Sequence, residues 1–195
     1  MSDTQPESYD DFFSERADEE ILSFFRTHSG WINKPDTNYV EYPLERAAFH
    51  LRERLVLELL ELGANPNQLD ECGQLALHTA IEHFASKPTA SMAIIRLLLD
   101  HGADIECRGY PDFTALHRAC SRGLLEVVRL LVERGANLHA VAEESRCGGM
   151  TPLEVTADDE VAAYLRTVIS PADLAERKRF LDLPHIKEPW KHHDA

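Results

Sequence analysis

Ten histidines and four cysteines are the residues whose chemistry reaches beyond packing in this chain of 195 residues. Imidazole and thiolate suit transition metals, and either beside a carboxylate serves acid–base or nucleophilic work. Their spacing supports neither use. His192 and His193 form a pair able to ligate a metal, yet no neighbour completes a ligand set at a recognised spacing. Cys72, Cys107, Cys120 and Cys147 contain no C-x-x-C pair, so reduced thiols in a cytosol are the plain expectation. No G-x-S-x-G, H-E-x-x-H or G-x-x-x-x-G-K run occurs. Asp158, Asp159 and Glu160 cluster three carboxylates, but in a turn between helices, where solvation is expected. The reading is a non-enzyme with no metal and no cofactor, leaving recognition through a surface.

The elements that position such a surface are clearest from Phe113 to Leu138. Thr114 precedes an apolar run of Ala115, Leu116, Ala119 and Cys120, and its hydroxyl can accept a first-turn backbone N–H. Gly123 breaks that helix. Leu124, Val127, Val128 and Leu131 then recur at helical period, which predicts a second. Gly135 follows the last periodic residue and suits the left-handed conformation that closes a helix. Two helices of about ten residues are marginal in water and need neighbours built alike.

The chain supplies them. Gly63-Ala64-Asn65, Gly102-Ala103-Asp104 and Gly135-Ala136-Asn137 are closing motifs spaced 39 and 33 residues apart. The openings are Tyr42-Pro43-Leu44, Leu75-Ala76-Leu77-His78, Thr114-Ala115-Leu116-His117 and Thr151-Pro152-Leu153-Glu154. A period near 33 with these openings and closings resembles the ankyrin repeat over residues 38–166. The resemblance implies an all-α solenoid of helix–turn–helix units with β-hairpin-like fingers, capped by a helix at each end. The expected layout is an acidic tail and N-terminal cap over 1–37, then repeats at about 38–69, 70–108, 109–145 and 146–166. A C-terminal helix and tail occupy 167–195. By resemblance, His78 and His117 hydrogen-bond within the helix start and finger, and partners lie on the concave side against first helices and fingers. The helix slots are then Phe49 and His50, Glu82 and His83, Ser121 and Arg122, and Asp158 and Asp159. The finger slots are Glu71, Cys72 and Gln74; Tyr110, Pro111 and Phe113; and Cys147 and Met150.

Departures from the pattern locate the irregular parts. Repeat two carries six extra residues in Phe84 to Ser91, where Pro88 and two serines predict an enlarged interhelix loop. Four extra residues around Glu143 to Gly149 lengthen the last finger, and the final unit is shortened, as terminal units are. Leu75 removes the side-chain cap of repeat two, while Thr151 and Glu154 form a capping box. Repeat one has Leu51 where a mid-repeat Gly belongs, and Glu45 in the slot held by His elsewhere.

The net charge of −14 disfavours nucleic acid and anionic lipid, and favours a basic protein partner. Half of that excess lies in Met1 to Glu20. Residues Asp10 to Ser29 read as one acidic amphipathic helix capping repeat one, with Trp31 packed nearby. Ser170-Pro171-Ala172-Asp173 starts a helix through about Leu183, and a tail with Trp190 follows. No leader or apolar run long enough to span a bilayer is read, so a cytoplasmic location is expected. The functional expectation is a module that binds a protein partner and sequesters or inhibits it. Immunity to a basic toxin is one form that the resemblance permits, and a secreted effector that engages host proteins is the alternative.

Overall fold

The structure, a computed structural model, describes residues 6–142 and 149–181. The chain order is α1 (Tyr9–Glu15), α2 (Asp18–Thr27), α3 (Pro43–Phe49), α4 (Glu53–Glu61), α5 (Ala76–Glu82), α6 (Pro88–Asp100), α7 (Ala115–Ser121), α8 (Leu125–Glu133), α9 (Pro152–Val155), α10 (Asp159–Val168) and α11 (Pro171–Leu181). The helices form two layers. In the inner layer α1, α3, α5, α7 and α9 follow one another; in the outer, α2 packs on α4, α4 on α6, and α8 on α10. Each outer helix turns its apolar stripe toward the inner layer, so Leu59, Leu98 and Leu131 are fully buried. The core thus runs the length of the stack as the shared interior of a solenoid.

The closing glycines have the predicted conformation, with φ of 94° at Gly63, 87° at Gly102 and 86° at Gly135. Left-handed residues also mark a second register, two residues before each opening: Val40, Gly73, Asp112 and Gly149. Leu51 adopts φ of 53° where repeat three has Gly123 at 68°, so the turn is kept without its usual residue. Fingers are short, and among the described residues they contain isolated bridges, Gly109 to Phe113 and Ala142 to Met150, rather than strands.

Two local expectations need correction. Residues Asp10 to Ser29 are not one helix: Arg16 and Ala17 are extended, and α2 doubles back on α1. That bend brings Phe12 onto Phe24, with ring centroids 5.1 Å apart, and Phe13 toward Phe25 at 6.3 Å. Arg52 holds the corner by donating to the Arg16 carbonyl at 2.8 Å and to Asp18 at 2.9 Å. In repeat two the extra residues are shared between a longer loop and a longer α6, which begins at Pro88 and buries Ser91. Pro88 sits in the first turn, where its missing N–H costs nothing. The final unit is shortened, as expected, and α9 is a single turn of four residues. Its capping box forms as expected, and Glu154 also accepts from Arg177 of α11 at 2.8 and 2.9 Å. The expected lengthening of the last finger, with Cys147, and the Trp190 tail lie outside the described residues.

Candidate functional site

The inner helices end along one edge of the stack, and the fingers stand beside them. Phe49 ends α3 and is 38% exposed. Its ring meets His50 edge-on at 5.3 Å and His83, which follows α5, at 4.8 Å. The Arg46 guanidinium lies 4.2 Å from the Phe49 centroid. Burial opposes charge on Arg46, but Glu45 at 2.7 Å, Glu41 at 3.3 Å and Asp10 at 3.4 Å outweigh it and raise its pKa. Burial lowers the pKa of His50 although Asp10 lies 3.0 Å from its Nε2, and burial followed by Arg122 lowers that of His83. The two imidazoles at the centre of this edge are therefore neutral at pH 7, beside the ion-paired Arg46.

Tyr110 stands at the tip of the third finger and is 71% exposed. Two contacts fix its backbone: its N–H donates to Gly73 O at 2.9 Å, and its carbonyl accepts from Arg118 at 2.6 Å. Arg118 is itself buried and paired with Glu82, while Arg122 reaches the other Glu82 oxygen at 3.6 Å. Glu82 and Arg122, one from α5 and one following α7, are thus joined across adjacent repeats. Pro111 is half-buried, and Phe113 folds back to stack on His117 at 5.4 Å.

The remaining candidates are more dispersed. Glu71 is exposed; Gln74 is half-buried, its N–H donating to Asp70. Ser121 is exposed and donates to Arg118 O. Met150 is 37% exposed, and its carbonyl accepts from His117 Nε2 at 3.0 Å. Because a carbonyl only accepts, His117 carries its proton on Nε2, and Nδ1 accepts from the Thr114 hydroxyl at 2.8 Å. Asp158 caps α10 by accepting from Glu160 and Val161 N–H groups, and Asp159 is exposed. Sequence reasoning missed Arg118, whose importance depends on contacts 8 and 36 residues away. It also missed Tyr39 and Val40, exposed apolar residues on the first finger.

His78 departs from the role implied for it. Its ring is fully buried, and neither nitrogen has a hydrogen-bond partner. Leu75 occupies the position from which Thr114 serves His117, and supplies no hydroxyl. Among the described residues no group of three or more His, Cys, Asp or Glu side chains is placed to hold a metal, and no helix is long and apolar enough to cross a membrane.

A family model described as ankyrin repeats in three copies matches residues 44–142 and 83–166. The chain is 37% identical over 133 residues to the B-cell lymphoma 3 protein homolog of Mus musculus, covering 68% of this chain and 28% of that one. It is 31% identical to cyclin-dependent kinase inhibitor 2A of Monodelphis domestica, over 66% of this chain and 71% of that protein. A crystal structure of the Bcl-3 ankyrin repeat domain superposes with a TM-score of 0.55 at 35% identity, covering 63% of this chain and 50% of that one. The chain spans about a quarter of the length of the B-cell lymphoma 3 proteins it matches. Motif register, layered architecture and sequence identity agree: the chain belongs to the ankyrin-repeat family.

Proposed function

We propose that this chain is a non-catalytic protein-interaction module whose concave helix ends and fingers occupy a partner's surface. One observation carries the reading. Of seven large apolar side chains left exposed among the described residues, six (Tyr39, Val40, Phe49, Leu69, Tyr110 and Met150) lie on the fingers or at an inner helix end. The seventh, Val168, is on α10. Exposed aromatics held on a rigid scaffold make effective anchors, because little entropy is lost when they are buried against a partner. The net charge of −14 supports a basic partner, and occupancy of its working surface would sequester or inhibit it. The Monodelphis domestica relative is itself named as an inhibitor, of a cyclin-dependent kinase.

The test is affinity capture with the wild-type chain beside a Phe49→Ala, Tyr110→Ala, Arg122→Ala variant whose melting temperature is unchanged. A protein retained by the first and lost by the second supports the assigned face. Equal retention by both rejects it.

A further inference from the structure

We infer, resting on the face assigned above, that Arg118 is the positioning residue for Tyr110. Its buried guanidinium ties the backbone of finger three to Glu82, so that the finger and the helix ends of repeats two and three meet a partner as one preformed unit.

The Tyr110 side chain is exposed, while the backbone beneath it is held from three elements. From finger two, Gly73 O accepts the Tyr110 N–H at 2.9 Å. From α5, the buried His78 ring lies against Gly109 so closely that a Cβ there would collide with it. From α7, one terminal nitrogen of Arg118 donates to the Tyr110 carbonyl at 2.6 Å. The other terminal nitrogen pairs with Glu82 Oε1 at the end of α5. A guanidinium presents its N–H groups in a fixed fork, so one planar group sets the separation of both acceptors. The second Glu82 oxygen lies 3.6 Å from Arg122, and His83, the residue after Glu82, meets the Phe49 ring at 4.8 Å. A continuous chain of contacts therefore joins the finger tip to the helix ends, and Arg118 is the link between them.

Folding alone does not require arginine here. The slot lies four residues after each opening, and Thr79 fills it in repeat two and Val155 in the last unit. Thr79 donates to Glu45 rather than to a finger, and the Val155 side chain has no donor. Arg46, in repeat one, faces the carboxylates of Glu45, Glu41 and Asp10. Arg118 also carries a standing cost, because its buried Nε–H has no acceptor among the described residues. Buried ion pairs often stabilise less than apolar side chains of similar volume. What Arg118 supplies, and its counterparts do not, is a finger tip ordered before a partner arrives. Entropy already lost in folding is not lost again on binding, so the gain appears as affinity at Tyr110.

The test is Arg118→Thr in the full chain, a change that places in the slot the residue type repeat two already accommodates. Amide exchange at Tyr110, followed by NMR, should quicken at least about tenfold while exchange at Leu131 on α8 stays the same. Binding is read with a linear peptide selected from a random phage library on the wild-type chain, its affinity measured by fluorescence anisotropy. Arg118→Thr should weaken that peptide about tenfold in the wild-type background and less than about twofold in the Tyr110→Ala background. Arg118→Lys keeps the charge but offers a single nitrogen, and should not restore the affinity. Arg118→Thr without effect, losses that simply add, recovery in Arg118→Lys, or exchange quickened equally at Leu131 would each overturn the positioning role alone. Peptides indifferent to Tyr110→Ala, or no enriched peptide, would reject the assigned face and the positioning role with it.

Discussion

Leu75 stands three residues ahead of His78, as Thr114 stands ahead of His117, and it offers the buried ring no oxygen. Leu75 is buried, so repeat two has exchanged a capping hydroxyl for apolar contact. The exchange makes His78 acid-sensitive. Burial first, and the charge of Arg118 second, lower its pKa from 6.5 to about 3. The unfolded chain therefore binds the proton at a higher pH than the folded chain. The contribution of neutral His78 is complete above pH 6.5 and is lost as pH falls toward 3. Over that window the loss is at most about 1.4 kcal/mol per pH unit. Urea denaturation at pH 7.5, 6 and 5 should show falling stability, and His78→Leu should remove part of the slope. Identical slopes would refute the assignment.

Val40 presents a different kind of cost. It has φ of 54° in a finger register otherwise held by Gly73, Asp112 and Gly149. A β-branched side chain is strained there, and Val40 is exposed enough that its removal sacrifices little burial. Val40→Gly should raise stability by about 1 kcal/mol, the scale of left-handed strain in a non-glycine residue. A lower denaturation midpoint would contradict this.

The converse holds at Gly135. With φ of 86° and nothing within 4 Å of an added Cβ, only the backbone opposes substitution. Gly135→Ala should destabilise by about 1 kcal/mol and Gly135→Val by more, read from the chemical denaturation midpoint. Equal stability of all three chains would remove the helix-closing role.

Cysteine reactivity should follow burial. Burial raises the pKa of the Cys120 thiol to about 12, whereas Cys72 is exposed on the second finger. Under a limiting pulse of iodoacetamide, peptide mass spectrometry should find Cys72 alkylated and Cys120 unmodified until denaturant is added. Early labelling of Cys120 would place α7 in a different orientation.

What the sequence made legible was local. Thr114, the Thr151–Glu154 box and the closing glycines act within a few residues of themselves, so their types announce their conformations. The apolar period placed the buried face of α8 for the same reason. Distant contacts stayed hidden. The break at Arg16 and Ala17 follows from aromatic packing between α1 and α2 and from Arg52, more than 30 residues away. The left-handed turns at Val40 and Leu51 are imposed on unsuited residues by their surroundings, with no glycine to signal them. At the candidate face, Tyr110 and Phe49 were identifiable from register; Arg118, which anchors the Tyr110 carbonyl, was not.

The carboxyl group of Glu154 has two duties. It accepts the Thr151 N–H that opens α9 and receives the Arg177 guanidinium that moors α11. Since α9 is only one turn long, it has no second turn to absorb a damaged start. Removing this one carboxyl would loosen the start of α9 and the seat of α11 together, so damage at one side chain is felt in two helices.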